Sequence, residues 1–393
     1  MMENKNVKQA EDSLLHVYNR FPVVLDHGKG MYLYDDSGKR YLDFTAGIAV
    51  SCLGYAHKKF NRRIKEQIDQ LFHTSNLYYN AATAQGAAAL KQVSGMDRIF
   101  FTNSGAEAME GALKAARKYA YAKKSGRYEW IAMENSFHGR TLGALSVTGQ
   151  KAYQTPFEPL IPGVKFAKYN DIKSVKAQVN EKTCAIILEP IQGEGGLNVV
   201  DEAFLQEIKK LCDSEDILLI FDEIQCGMGR TGSMFMWQKW NIQPDIMAMA
   251  KGIGNGIPVG AFGLSEKVAL HSLKPGDHGT TYGGNPLAGA AVQAVIEIME
   301  EENILANVQE MGDYLTEQLD KLVKEKACVI QRKGLGLMQG LELDKPVAEV
   351  IQGALEKGFL VISAGHQILR FVPPLILEKS HIMDMIGVLE ELL

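Results

Sequence analysis

The sequence has few cysteines and no motif that would pair them. Only five occur in 393 residues, at long spacings and without a C-x-x-C pattern. An odd, dispersed set excludes a disulfide framework, so we expect free thiols in a reducing compartment, the cytoplasm. The nine histidines include no H-E-x-x-H spacing, and we therefore expect no metal site. The first residues lack the apolar core of a secretory signal, so none is expected.

An excess of positive charge and long apolar runs are missing too. Lys and Arg total 42 against 47 for Asp and Glu, which gives a formal net charge of -5. Without a strong positive field, nucleic acid and anionic membrane surfaces are not expected partners. No apolar run reaches the roughly 18 residues that indicate a membrane-spanning helix. Proline is scarce at 12 residues, whereas the 38 glycines point to sharp turns or close backbone approach.

What the sequence does contain is a regular alternation of strand-like and helical stretches. Continuous apolar runs such as CAIIL and ILLIF are typical of strands buried on both faces. The alternation predicts an α/β fold whose mainly parallel sheet is flanked by helices. We expect strands at Arg98–Thr102, Glu129–Met133, Cys184–Leu188, Ile217–Phe221 and Ile246–Met249, and helices at Arg62–Phe72, Ala82–Val93, Gly105–Tyr121 and Glu202–Ser214.

The pattern changes after Asn285-Pro286, where long helical stretches are followed by short strand-like runs. We expect residues 1–50 to be the N-terminal segment of a small domain, 51–285 a large domain, and 286–393 the small C-terminal domain. Both chain ends would then build one small α/β unit. The expected elements in its C-terminal part are helices at Leu287–Glu301, Asn307–Glu325, Pro346–Lys357 and Lys379–Leu393, and strands at Cys328–Arg332, Leu335–Leu343, Leu360–Ser363 and Ile368–Phe371.

Common nucleotide-binding and hydrolase motifs are absent. The chain has no G-x-x-x-x-G-K-[ST], which argues against a P-loop NTPase, and no G-x-S-x-G, which argues against a standard α/β-hydrolase. Gly252-x-Gly254-x-Gly256 lacks the G-x-G-x-x-G spacing of a dinucleotide site. A dehydrogenase that uses such turns stays open as an alternative, as does a cofactor-free binding or scaffold protein.

Three stretches place reactive groups next to strand ends. Residues 103–106, Asn-Ser-Gly-Ala, form a small-residue turn whose backbone N–H groups suit a phosphate, unless Ser104 merely caps the following helix. Asp222 ends an apolar run and requires a cationic partner, either a ligand or a salt bridge at the core rim. Lys251 follows another strand, where burial makes an amine nucleophilic, unless the side chain reaches solvent.

Taken together, these groups match the needs of pyridoxal phosphate (PLP). This cofactor requires a lysine for its aldehyde, an acidic partner for its pyridinium nitrogen, and an anion site. An acidic partner keeps the ring nitrogen protonated, so that the ring can accept carbanion electrons.

The chain resembles the class III, fold-type I aminotransferases from about Tyr18 to the C-terminus. The likeness is carried by YLDFTAGIAVSCLG, NSGAEA, SFHGRT, LEPIQGEGG, FDEIQCGMGRTG, AKGIGNGIPVGA, HGTTYGGNPLA and LRFVPPL, in family order. It implies a large PLP-binding domain with a mainly parallel seven-stranded sheet, and a small α/β domain from both chain ends. Within the family the likeness is to members that act on N2-acetylornithine.

The resemblance also implies roles for residues around the cofactor. Lys251 would bond to the cofactor aldehyde and carry the proton between the substrate carbon and C4′. Asp222 would face the pyridinium nitrogen, and Gln225 would donate near the ring hydroxyl.

Phosphate and ring-face contacts follow from the same likeness. Gly105 and Ala106 match the phosphate cradle, and Phe137 matches the residue that stacks on the ring. Thr281 matches a residue that reaches the phosphate of the neighbouring subunit's cofactor, which implies a homodimer with shared sites.

For the substrates, the resemblance implies two carboxylate sites built on arginines. Arg140, assisted by Thr280, would hold the carboxylate of acetylornithine. Arg370 would hold the 2-oxoglutarate carboxylate nearest the reacting carbon, and Glu194 would pair with Arg370 when that carboxylate is absent. For His138 we expect a structural hydrogen bond rather than an acid–base role.

The reaction expected from this likeness moves the δ-amino group of N2-acetyl-L-ornithine to 2-oxoglutarate, in arginine biosynthesis. Succinylornithine, ornithine, 4-aminobutyrate and acetyl-lysine-type donors stay open, because pocket size alone discriminates by only about 1–3 kcal/mol.

Overall fold

A seven-stranded sheet forms the centre of the computed structural model, which describes residues 4–393. Its strand order is Arg98–Thr102, Gly260–Leu264, Ile246–Met249, Leu218–Asp222, Thr183–Leu188, Glu129–Met133 and Val164–Ala167. Only Gly260–Leu264 runs antiparallel to its neighbours. The mainly parallel sheet expected from the sequence is confirmed, with strand ends that shift by a residue at most. Two of its strands, Val164–Ala167 and Gly260–Leu264, were not expected.

Both faces of this sheet are covered, which explains its continuously apolar strands. One face packs under the helix Gly105–Ala122, whose buried positions are mostly alanine and glycine. A Cβ at Gly111 would lie 2.1 Å from Cε1 of Phe262, so the helix rests directly on the antiparallel strand. The opposite face packs against Glu202–Glu215 through Phe204, Leu205 and Ile208.

The two chain ends share a smaller sheet. Strands Leu25–Lys29, Tyr32–Asp35 and Arg40–Asp43 pair in sequence, and the C-terminal strand Phe359–Leu360 adds parallel to Arg40–Asp43. The small α/β unit built from both ends is therefore confirmed. The first three positions of the expected 1–50 segment lie outside the described residues.

A second four-stranded sheet follows in the C-terminal part, in the order Val329–Leu335, Met338–Leu343, Ile368–Phe371 and Ile362–Ala364. The strands expected at Cys328–Arg332 and Leu335–Leu343 are observed at Val329–Leu335 and Met338–Leu343, and their boundary shifts because a tight turn at Gly336 (φ 61°) closes the hairpin. The strand expected at Leu360–Ser363 is wrong. The chain divides there between Phe359–Leu360 and Ile362–Ala364, which belong to different sheets.

Helices complete the layers. Pro286–Glu301 packs closely on Ala81–Ser94, where a Cβ at Gly86 would meet the carbonyl oxygen of Gly289 at 2.4 Å. The helix expected at Arg62–Phe72 spans Lys58–Gln70, because the His57 side chain accepts from the N–H of Phe60 and caps it earlier. The other helices of eight or more residues are Lys5–Ser13, Gly105–Ala122, Glu202–Glu215, Ile304–Glu325, Ala348–Glu356 and Lys379–Leu392. Among residues 4–393, no helix has the length and apolar character needed to span a membrane.

Candidate active site

A cavity of about 410 Å³ opens at the carboxyl ends of the central strands. In parallel sheets this edge is where ligands bind, because the following loops diverge there. Seven of the eleven residues expected to hold the cofactor or the substrates line it: Gly105, Ala106, Phe137, Arg140, Asp222, Gln225 and Lys251.

Lys251 stands in the cavity wall just after the strand Ile246–Met249. Its backbone is left-handed, with φ at 51°, a conformation that side-chain-bearing residues adopt at a cost. Burial lowers the pKa of its ammonium to about 8. A substantial neutral fraction near physiological pH makes this amine a nucleophile.

Asp222 and His138 form a buried pair in the cavity wall. Oδ2 of Asp222 accepts from Nδ1 of His138 at 2.7 Å, and Oδ1 accepts from the N–H of Ile224 at 3.1 Å. Burial alone would lower the pKa of His138, but the hydrogen bond and charge of Asp222 outweigh it and raise the pKa. The ring thus has the structural hydrogen bond expected of it.

The helix Gly105–Ala122 begins at the cavity wall. Oγ of Ser104 accepts from the N–H of Glu107 at 3.3 Å. Ser104 therefore caps this helix, as the sequence allowed. Gly105 and Ala106 occupy the first turn, whose N–H groups have no partner within the helix. Their small side chains leave these groups, and the positive end of the helix dipole, open to an anion.

Phe137 and Arg140 form the outer wall. The Arg140 guanidinium lies 3.6 Å from the ring centre of Tyr153 and 5.4 Å from that of Phe137. Arg140 is exposed and forms no ion pair with any residue between 4 and 393. Its charge is therefore free to meet a carboxylate at the cavity mouth.

Arg370 and Glu194 contact each other next to Gln225, a residue of the cavity wall. Nη1 of Arg370 donates to Oε1 of Glu194 at 2.6 Å, and Nη2 donates to Oε2 at 3.3 Å. Nη1 also donates to Oε1 of Gln225 at 3.0 Å and to the carbonyl of Gly193 at 3.2 Å. Burial would raise the pKa of Glu194, but Arg370 outweighs it and lowers this pKa.

Four predicted residues are not part of the cavity lining: Glu194, Arg370, Thr280 and Thr281. Thr280 lines an adjacent cavity of about 390 Å³, together with Tyr78 and Tyr79. Its Oγ1 accepts from Nδ2 of Asn103, which lines the first cavity, at 3.2 Å. Thr281 is exposed. A single chain therefore does not bring Thr280 next to Arg140, nor Thr281 next to Lys251.

The structure adds Glu189 to the cavity wall, a residue to which sequence reasoning assigned no role. It is 5% exposed, and its carboxylate accepts two backbone N–H groups. The sequence does contain a signal for this residue. Glu189 directly follows the buried run CAIIL, just as Asp222 directly follows the run LLIF.

The family model described as "Aminotransferase class-III" matches residues 15–393. The chain belongs to the class-III aminotransferase family. It is thus a transferase of a PLP-dependent family.

Individual class-III relatives are similar over nearly their whole length. An acetylornithine aminotransferase of Methanocaldococcus jannaschii is 48% identical over 96% of this chain and 95% of its own. An ornithine aminotransferase structure from Toxoplasma gondii, with partial occupancy of PLP at its active site, has a TM-score of 0.94 at 30% identity and covers 98% and 92%. The N-acetylornithine aminotransferase structure from Stenotrophomonas maltophilia has a TM-score of 0.83 at 31% identity and covers 98% and 97%.

The residues present fit the cofactor of this class-III family. The cavity offers an amine of lowered pKa, a buried carboxylate and a helix start lined by Gly105 and Ala106. At Gly105 a Cβ would already approach Cδ1 of Ile224 at 2.9 Å, so a side chain there would crowd the cradle. Nε2 of His138 is buried without a protein partner among the described residues.

Proposed function

We propose that this enzyme transfers the δ-amino group of N2-acetyl-L-ornithine to 2-oxoglutarate, giving N-acetyl-L-glutamate 5-semialdehyde and L-glutamate in arginine biosynthesis. The observation that carries the proposal is a pair of arginines at the cavity that Lys251 lines: Arg140 lines it directly, and Arg370 donates to Gln225, which also lines it. Arg140 is unpaired at the mouth, and Arg370 is paired with Glu194. The names of the similar relatives support the choice of donor.

PLP, when bound, supplies an aldehyde and an electron sink. We assign Lys251 to covalent attachment of the cofactor and to proton transfer at the substrate carbon. An amine with a pKa of about 8 can both accept and return a proton near neutral pH.

The remaining cavity residues would orient the cofactor. Asp222, held by His138, would face a protonated ring nitrogen, and Phe137 would cover one ring face. The first helical turn at Gly105 and Ala106 would receive the phosphate. Gln225 would donate toward the ring hydroxyl through its Nε2, since its Oε1 is already engaged by Arg370.

Two substrates with different carboxylate positions must use the same cavity in turn. Arg140, with Thr280, would hold the α-carboxylate of acetylornithine, which lies far from the reacting δ-carbon. Glu194 meanwhile neutralises Arg370, because a buried arginine without a counter-charge is costly. When 2-oxoglutarate enters, its carboxylate would replace Glu194 on Arg370.

The exposed aromatic patch beside Thr281 supports a homodimer. Leu77, Tyr78, Tyr79 and Tyr282 are 63% to 107% exposed in the single chain. Such a contiguous apolar surface marks an interaction site. We propose that a second copy covers it and that Thr281 reaches the phosphate of that copy's cofactor.

The expected domain division and location remain part of this proposal. Residues 1–50 and 286–393 would form the small domain, and 51–285 the large PLP-binding domain. The five free thiols support a cytoplasmic enzyme.

The donor is tested by comparing kcat/KM for acetylornithine, succinylornithine and ornithine. We expect acetylornithine to be preferred over free ornithine, whose charged α-ammonium the acetylated donor lacks. A clear preference for ornithine would overturn the donor assignment but leave the PLP chemistry in place. Succinylornithine is the second candidate, since its longer acyl group differs only at the open, Arg140 side of the cavity.

A further inference from the structure

Glu189 connects two loops that each contribute to the cavity wall, one through Phe137 and the other through Ile191. It follows the strand Thr183–Leu188, and its two oxygens accept from different loops. Oε1 accepts from the N–H of Phe137 at 2.9 Å, and Oε2 accepts from the N–H of Gly193 at 3.0 Å. The hydroxyl of Tyr169 donates to the Glu189 carbonyl at 2.7 Å, which fixes its backbone as well. One side chain thus ties the aromatic wall to the start of the Glu194 hairpin, residues 191–199.

A carboxylate suits this double contact better than any neutral side chain. It offers an acceptor oxygen to each N–H, whereas an amide of the same shape would turn its NH₂ toward one of them. Burial raises the pKa of Glu189, an effect that the charge of Asp222 reinforces and that of His138 opposes. A carboxylate retained at such a site points to a role that depends on both oxygens.

Gly193 links Glu189 to Arg370, the arginine proposed to bind 2-oxoglutarate. Its N–H donates to Glu189, while its carbonyl accepts from Nη1 of Arg370 at 3.2 Å. It has no room for a side chain, since a Cβ would lie 2.5 Å from Nε2 of Gln225. The next residue, Glu194, is the one that pairs with Arg370.

We propose that Glu189 is a positioning residue for the 2-oxoglutarate half-reaction, which anchors Gly193 so that Glu194 can leave Arg370 while Arg370 stays in place. This inference rests on the proposed function, because it needs Arg370 to receive a substrate carboxylate. While Glu189 holds the N–H of Gly193, only the Glu194 side chain has to move. Without this hydrogen bond, the backbone of Gly193, whose carbonyl accepts from Arg370, moves too.

The chain provides a matched control in Glu223. This carboxylate is 2% exposed and also accepts two backbone N–H groups, from Met236 at 2.7 Å and Trp237 at 3.0 Å. Burial raises its pKa to about 7. It is not among the residues that line the cavity. Glu223→Gln therefore reproduces the loss of a buried double acceptor whose N–H partners, Met236 and Trp237, do not line the cavity.

The experiment measures both half-reactions of the PLP-loaded enzyme by stopped-flow absorbance, for wild type, Glu189→Gln, Glu189→Asp and Glu223→Gln. We expect each Glu189 variant to weaken the apparent affinity for 2-oxoglutarate about tenfold, the effect of one lost hydrogen bond to a charged group. The donor half-reaction should change by less than about threefold. Glu223→Gln should leave the ratio of the two half-reactions unchanged, whatever it does to Tm.

Equal effects of the Glu189 and Glu223 variants on both half-reactions would overturn the inference. That result would mean that the loss of any buried double acceptor destabilises the enzyme in the same way, with no specific role for Glu189. Failure of both Glu189 variants to fold, with Glu223→Gln folded, would also count against it. The two proposals fail separately. A wild type inactive on acetylornithine contradicts the donor assignment, while enzyme loaded with pyridoxamine phosphate still reports the 2-oxoglutarate step.

Discussion

Replacing Glu194 with alanine should separate the two half-reactions. The substitution removes a bidentate partner of Arg370, a side chain that is only 3% exposed. Breaking a fully buried pair costs about 3–5 kcal/mol. Glu194 is 28% exposed and Arg370 keeps the carbonyl of Gly193 and the side chain of Gln225 as acceptors, so we expect a smaller loss, about 2 kcal/mol of unfolding free energy.

The same free energy should reappear as tighter binding of the second substrate. In the wild type, 2-oxoglutarate must displace Glu194 from Arg370, and in Glu194→Ala it meets an unpaired guanidinium. A difference of about 2 kcal/mol corresponds to a roughly 30-fold lower apparent Kd for 2-oxoglutarate. The donor half-reaction should slow, because the bare Arg370 now attracts the donor's carboxylate in the wrong orientation.

Stopped-flow half-reactions and urea unfolding measure these effects. Asp213→Ala is the control, since it removes an exposed ion pair with Lys209 on a helix surface and should change neither affinity. Because Arg370 lowers the pKa of Glu194, the pair stabilises the folded enzyme fully above about pH 4.3 and loses this effect as pH falls through the lowered value. The stability gap between wild type and Glu194→Ala should therefore close in acid. An unchanged ratio of half-reaction rates would refute the switch.

Three other perturbations test separate parts of the account. Capture of PLP by the apoenzyme should accelerate as pH rises through about 8 and then level off, as the Lys251 amine deprotonates; a rate that still climbs steeply at much higher pH would contradict the lowered pKa. Gly111→Ala should lower the unfolding free energy by about 1–3 kcal/mol, because its Cβ would meet Phe262 at 2.1 Å; an unchanged Tm argues against this helix–strand packing. Tyr79→Glu should shift the sedimenting species from dimer to monomer, whereas Tyr121→Glu, also exposed, should not; identical behaviour would place the interface elsewhere.

Sequence reasoning reached the parts of the fold in which local pattern and tertiary role agree. The strand Leu218–Asp222 is apolar because both its faces are buried, and the sequence shows this directly. Gly260–Leu264 was missed because GAFGL contains two glycines and resembles a loop. It becomes a strand only because Ile246–Met249 and Arg98–Thr102 pair with it on either side.

The left-handed turn at residues 46–49 is a second element that the local sequence does not indicate. All four residues have positive φ, from 48° to 65°, although only one is glycine. The turn is anchored by Asp43, which accepts from the N–H of Ala46 at 3.0 Å and from the hydroxyl of Tyr55 at 2.5 Å. No local propensity indicates it, because these contacts supply the free energy that the strained backbone requires.

For the site, motifs predicted which residues gather but not how they contact one another. Asp222, Lys251 and Gly105 line one cavity, as residues at neighbouring strand ends should. The pair of His138 with Asp222 and the double contact of Glu189 depend on side-chain directions that only the packed fold defines.

The central claim, that Lys251 holds a PLP cofactor in this cavity, is tested most directly by the absorption spectrum of the purified protein. We expect a visible cofactor band that borohydride bleaches irreversibly, with the reduced cofactor attached to the peptide that contains Lys251. The Lys251→Ala variant should fold and lose that attachment. A colourless protein that does not take up PLP, or reduction that labels a different lysine, would contradict the account.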